Sequence, residues 1–200
     1  ANLSANGNGQ GGTHGYGAEL YNNTATSPKA VTLSVSGGNL DTTVDNNYSG
    51  GLFVYSLGAI SITGLDAENN THGNGAYLEN DFTGAVGGIT FNGWGAGFGN
   101  NGASVNSYGL EVLSGGAITA TNLWAWGNSL GGAFLVGTGA VTLGTSASTS
   151  YASFGNNGGY GLEVFSNGAI TLNNVNADGN GGYGAYLKKM FIPLFESYSV

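Results

Sequence analysis

Apolar residues along this chain alternate with polar or aromatic ones in short runs, and each run stops at glycine or asparagine. Val31-Thr32-Leu33, Ile60-Ser61-Ile62 and Leu110-Glu111-Val112 are typical. A period of two predicts short strands with one face buried. No segment holds the 3.6-residue period of an amphipathic helix.

The runs recur in a fixed order. An anchor of glycine, a small or aliphatic residue, any residue, then Leu or Val starts at Gly17, Gly51, Gly75, Gly109, Gly132, Gly161 and Gly184. The spacings are 34, 24, 34, 23, 29 and 23 residues. Long units open with Gly-Ala-x-Leu and short ones with Gly-Leu-x-Val, so the larger repeat is a pair of units. A second motif follows each anchor, as in Ala30-Val31-Thr32-Leu33 and Ala169-Ile170-Thr171-Leu172. A third segment precedes a turn rich in Asn and Gly, as in Leu65-Asp66-Ala67 and Leu123-Trp124-Ala125.

Three short strands per repeat, joined by corners of Gly and Asn, describe stacked coils. Both residues suit the positive φ that tight corners require. Asn46 and Asn47, Asn69 and Asn70, Asn100 and Asn101, Asn128, Asn156 and Asn157, and Asn180 mark one corner, where stacking predicts a hydrogen-bonded ladder. The expected fold class is all-β: a right-handed parallel β-helix, or β-solenoid, of about six to seven coils. Short coils hold 23–24 residues and long ones 29–34. The right hand follows the general preference of parallel crossovers. Six coils at one strand spacing each make a rod about 30 Å long. The solenoid is expected over residues 1–187, with residues 188–200 as an apolar C-terminal tail that caps the rod or links subunits.

These anchors and turns resemble the right-handed parallel β-helix superfamily, the pectate-lyase-like group. They resemble in particular the secreted β-strand-repeat proteins of bacterial adhesins and surface filaments. The resemblance implies an extracellular or cell-surface location. The same superfamily contains polysaccharide lyases and glycoside hydrolases.

Composition narrows the function. Glycine supplies 40 of 200 residues, charged residues only 7%, and hydrophobic residues 40% at regular intervals, which argues for a packed core. The net charge is −8 with three Lys and no Arg, which opposes nucleic acid and anionic membrane surfaces alike. No apolar run is long enough for a transmembrane helix. The absence of Cys excludes a disulfide scaffold. The chain starts at Ala1, which is compatible with removal of a leader.

Candidate chemistry is sparse, and no enzyme, cofactor or metal is expected. Lyases of the resembling group use Arg or Lys as base; here Lys29 stands alone in a loop, and Lys188 and Lys189 lie near the tail. Glycoside hydrolysis needs paired carboxylates. Glu19, Glu111 and Glu163 share one ladder but not adjacent coils, and Asp66 and Glu68 flank Ala67 and face outward together. Otherwise the acids keep a glycine-rich rod soluble. His14 and His72 read as turn residues rather than as metal ligands. Calcium at the Gly-Asn turns is disfavoured, because Tyr186 stands where a nonapeptide calcium repeat places Asp. Asn2, Asn22, Asn47 and Asn69 lie in glycosylation sequons.

The outward face of the anchor strand carries more information. It places Tyr21, Phe53, Tyr55, Tyr77, Leu113, Phe134, Val136, Phe165 and Tyr186 in one stripe. Such a stripe packs on a partner, stacks on sugar rings, or is covered by a long-coil insertion such as residues 93–108. Trp124 and Trp126 form a second aromatic pair on a different face. Thr119 and Thr121 are the one Thr-x-Thr pair in the second motif, the kind of array that ice-binding solenoids use. Solenoid ends expose strand edges that invite addition of another chain. Met190, Phe191, Ile192, Leu194 and Phe195 make the tail a candidate cap or donated strand. The reading that follows is a non-enzymatic subunit of an extracellular filament, sheath or adhesin, with copies of itself as partner and glycans as a second possibility. The alternatives are a carbohydrate-binding or polysaccharide-degrading β-helix and, as a minor one, an ice-binding solenoid.

Overall fold

A computed structural model describes residues 3–12, 14–24, 28–35, 42–92, 96–145 and 152–190. These residues form strands and turns with no helix. Three parallel sheets make the walls of a solenoid of six to seven coils. The first wall has seven strands: Ala18–Asn22, Leu52–Ser56, Ala76–Asn80, Tyr108–Ser114, Gly131–Gly137, Leu162–Ser166 and Ala185–Lys189. The second runs from Val31–Leu33 through Ile60–Thr63, Ile89–Asn92, Ile118–Thr121 and Val141–Gly144 to Ile170–Asn173. The third runs from Thr42–Thr43 through Leu65–Asp66, Ala96–Gly99, Leu123–Trp126 and Ala152–Gly155 to Val175–Asn176. Each strand pairs in parallel with its counterpart one coil away, and Ser4 adds a single parallel bridge to Thr43.

Alternate residues of all three walls point inward and form one core. Val54, Leu78, Val112, Leu135 and Val164 stack in one column, and Ile60, Ile89, Ile118 and Val141 in another. Burying side chains of this size contributes about 1.5–3 kcal/mol each.

The alternation of anchor types has a packing cause. The residue after each anchor glycine alternates as Ala18, Leu52, Ala76, Leu110, Ala133 and Leu162. The last inward position of the third wall alternates in the opposite sense: Ala67, Phe98, Ala125, Phe154 and Ala177. Coils with Leu at the first position carry Ala at the second; the coils of Ala76 and Ala133 carry Phe. Large against small keeps core volume nearly constant from coil to coil, as close packing demands. Phe98 meets Phe91 of its own coil edge to face, with centroids 6.2 Å apart.

The asparagine corner divides its labour between neighbours. The first residue of each pair takes the left-handed conformation: Gly7, Asn46, Asn69, Asn100, Gly127, Asn156 and Gly179 all have φ between 54° and 70°. The second residue forms the ladder. Asn8, Asn47, Asn70, Asn101, Asn128 and Asn157 each donate backbone N–H and side-chain Nδ2 to the Oδ1 of the next Asn, ending on Asn180. A backbone N–H can only donate, so the accepting side-chain atom is the oxygen and each amide has one orientation. The spare Nδ2 hydrogens of Asn101, Asn128, Asn157 and Asn180 go to the carbonyls of Ala67, Phe98, Ala125 and Phe154.

The anchor glycines are required for space, not for backbone freedom. A Cβ at Gly17, Gly51, Gly75, Gly109, Gly132 or Gly161 would lie 2.5–2.9 Å from a ladder Nδ2, for example 2.6 Å from that of Asn128 at Gly109. None of these six has positive φ. Glycine thus has two uses: at the corners Gly7, Gly127 and Gly179 supply positive φ, and at the anchors it forms the floor on which the ladder rests.

Candidate functional site

On the first wall the register places Glu19, Phe53, Tyr77, Glu111, Phe134, Glu163 and Tyr186 in one outward column. Tyr21, Tyr55, Glu79, Leu113, Val136, Phe165 and Lys188 form the next. All nine residues expected in the aromatic stripe therefore share this face. Most are half-buried; Tyr21 at 60% and Tyr186 at 37% are the exposed ones.

Two aromatic groups flank the centre of the wall. Phe53 stacks on Tyr77 at 4.8 Å and 12°, and Tyr16, Tyr21, Tyr55 and Phe82 close around them. Phe134, Phe165 and Tyr186 form the second group with Tyr108 and Tyr160. The cover comes from tyrosines just before the anchor glycines. Tyr16 lies over Gly50, where a Cβ would be 3.2 Å from its ring, and Tyr108 over Gly131, where a Cβ would collide with its ring at 2.6 Å. Of the insertion at residues 93–108, residues 96–108 are not a loop folded back over the stripe: Ala96–Gly99 is a strand of the third wall, only Tyr108 at the end of the stretch reaches the stripe, and residues 93–95 lie outside the described residues. Tyr16, Leu52, Phe53, Gly73, Asn74 and Tyr77 line a shallow cleft of about 150 Å³.

Three of the four carboxylates in these columns are tied to their own chain. Tyr77 donates its hydroxyl to Glu79 Oε2 at 2.6 Å, Asn74 Nδ2 donates to Glu111 Oε2 at 2.7 Å, and Tyr108 donates to Glu163 Oε1 at 2.8 Å. Burial pushes Glu111 up from the ordinary carboxylate range, opposed by the bond from Asn74. Burial likewise raises Glu79, opposed by Tyr77 and reinforced by Asp81. Tyr77 and Tyr108 are raised by burial and by their carboxylate partners.

The third wall carries a different arrangement. Its outward columns read Thr43, Asp66, Gly97, Trp124, Ser153, Asn176 and Asp45, Glu68, Gly99, Trp126, Gly155, Asp178. Gly97 and Gly99 leave one rung bare. The indole of Trp126 extends over it: a Cβ at Gly99 would lie 2.7 Å from Cε2 and Cζ2, and one at Gly97 would lie 3.6 Å from Cη2. Asp66 Oδ1 and Glu68 Oε1 reach the same point over Gly97, at 2.7 and 3.1 Å from that Cβ position. Trp124 is 52% exposed. Asp45 Oδ1 accepts the backbone N–H of Glu68 at 2.8 Å. Burial raises both Asp45 and Glu68, and Asp45 adds to the rise at Glu68. The sequence pairs Asp66 with Glu68 and Trp124 with Trp126; nothing in it places the two pairs on either side of a glycine gap.

The remaining candidates scatter. Thr32, Thr119, Thr142 and Thr171 are exposed on the second wall, while Thr121 turns its hydroxyl to the carbonyl of Phe91. His72 stacks on Tyr48 with centroids 4.2 Å apart, as a turn residue does. Asn47 is fully buried in the ladder, which takes its sequon out of reach of glycosylation. Met190 donates its N–H to the carbonyl of Ser166, and Phe191, Ile192, Leu194 and Phe195 lie outside the described residues. Among the described residues no three His, Cys, Asp or Glu converge as a metal cluster, and no helix is long and apolar enough to cross a membrane. Comparison with known proteins finds no family model, no curated relative and no solved structure that matches the chain.

Proposed function

We propose that this chain is a non-enzymatic structural subunit of an extracellular filament, sheath or adhesin, built by stacking solenoids along their axis. The observation that supports the reading is the repeat itself: strand pairing on all three walls runs without a break through the described coils, so each rung is a template on which another coil, from the same chain or from a second copy, pairs in register. Leu187 continues the column of Val164 and Leu135, both fully buried, and is the position at which that contact is tested. Membership of the right-handed parallel β-helix superfamily and a place at the bacterial surface belong to the same proposal. They are supported by the coil pattern and by the low content of charge.

The test is sedimentation velocity with negative-stain electron microscopy of the whole chain, of Leu187→Lys, and of a form ending at Leu187. Stacked rods are expected for the whole chain and single rods for Leu187→Lys. Loss of stacking in the shortened form alone assigns the contact to the tail. Single short rods from the whole chain at high concentration end the proposal.

A further inference from the structure

The geometry points to a carbohydrate-binding site on the third wall, where Trp124 and Trp126 stack on neutral pyranose rings and Asp66 and Glu68 accept their hydroxyls. A pyranose has apolar C–H faces and a rim of hydroxyl groups. Its binding site therefore needs an aromatic plate with hydrogen-bond acceptors at the edge. Both parts are present, and a single feature brings them together. With no side chains at Gly97 and Gly99, the Trp126 indole reaches across a whole rung to the point where Asp66 Oδ1 and Glu68 Oε1 arrive.

The two tryptophans stand two residues apart on one strand, about 6.7 Å along it, so they offer consecutive plates to a chain of sugars. Trp124 is 52% exposed and Trp126 is half-buried. Trp126 is the indole that meets the carboxylates and Trp124 is the exposed one beside it on the strand, an aromatic surface suited to an amphipathic ligand. The charge of the site selects the class. Asp45, Asp66 and Glu68 repel uronates and sulfated sugars, as they repel nucleic acid. Neutral glycans remain.

The site lies on the side of the rod and Leu187 at its end, so sugar binding and axial stacking are read out separately. The experiment titrates the whole chain with cellohexaose, chitohexaose and polygalacturonate by calorimetry and tryptophan fluorescence. A neutral hexasaccharide is expected to bind saturably and polygalacturonate not at all. Trp126→Ala and Glu68→Gln are expected to weaken binding about tenfold and a few-fold, measured at a temperature where melts show both variants folded. Trp126→Leu keeps apolar cover over Gly99 and removes the aromatic plate, so it serves if the alanine variant is unstable. The inference is overturned by no binding of either neutral sugar, by binding of polygalacturonate alone, or by Trp126→Leu binding as tightly as the parent chain.

Discussion

Asn101 donates both its backbone N–H and its side-chain Nδ2 to one atom, Oδ1 of Asn128, each at 3.0 Å. Its own Oδ1 accepts the same pair of bonds from Asn70. All three residues are at most 1% exposed. A buried amide with every donor and acceptor matched is expensive to remove, because deletion leaves the partners unpaired.

Asn101→Ala is therefore expected to destabilise the chain by about 3 kcal/mol, since it strands the backbone N–H and the Nδ2 of Asn70. Urea unfolding measures it. A loss below about 0.5 kcal/mol, the range of ordinary surface changes, contradicts the ladder's role.

Gly109→Ala tests the floor beneath the ladder. The added methyl would meet Asn128 Nδ2 at 2.6 Å, Gly132 O at 2.8 Å and Phe98 Cβ at 2.9 Å. The expected cost is about 1–3 kcal/mol, as for other overpacked sites. Gly12→Ala, whose nearest neighbour would be Gly9 O at 3.4 Å, is the control and is expected to be close to neutral. Equal melting temperatures for the two variants contradict the steric account.

The alternating core predicts a specific coupling. Leu110→Ala alone opens a cavity worth about 2–5 kcal/mol, and Ala125→Phe alone overpacks its coil by about 1–3 kcal/mol. Together they recreate the Ala76 and Phe98 arrangement of the preceding coil. The double variant is expected to be more stable than the sum of the single effects by about 1 kcal/mol or more. Additive losses in a double-mutant cycle mean that the two positions do not share volume.

Stability should fall as pH rises through the carboxylate range. Glu68, Glu79 and Glu111 are raised above their ordinary value of 4.5, and Asp45 above 3.8, each chiefly by burial. The native chain then binds more protons than the unfolded one in this window. The contribution of these groups is full below their unfolded values and is lost as pH passes their native ones. Thermal melts from pH 4 upward check the sign. Glu68→Gln should flatten the slope, and an unchanged slope assigns the dependence elsewhere.

Much of this fold is legible in the chain, because a solenoid writes its contacts at fixed intervals. The anchor spacings locate the first wall, and the two-residue alternation of Leu110, Glu111 and Val112 separates inside from outside. The ladder is visible as recurring Asn. What escapes is whatever depends on the shape of a neighbouring coil. Gly99 looks like any other glycine until Trp126 of the next coil is found lying over it. The tyrosine cover of the stripe is hidden for the same reason, since Tyr108 bonds to Glu163, 55 residues away. The pairing of Leu110 with Ala125 is written in the sequence, yet it becomes a reason only when both face one cavity.

The asparagine ladder also gives the rod a direction. Every rung donates toward the C-terminal coil, so the amides form one polarised chain with an acceptor, Asn8 Oδ1, toward one end and the backbone donor of Asn180 toward the other. A second rod joined in the same sense continues that chain of dipoles. A rod joined in reverse sets acceptor against acceptor or donor against donor. The two ends of the ladder are therefore chemically unlike, and any coil added to it must match a sense fixed by the orientation of an amide.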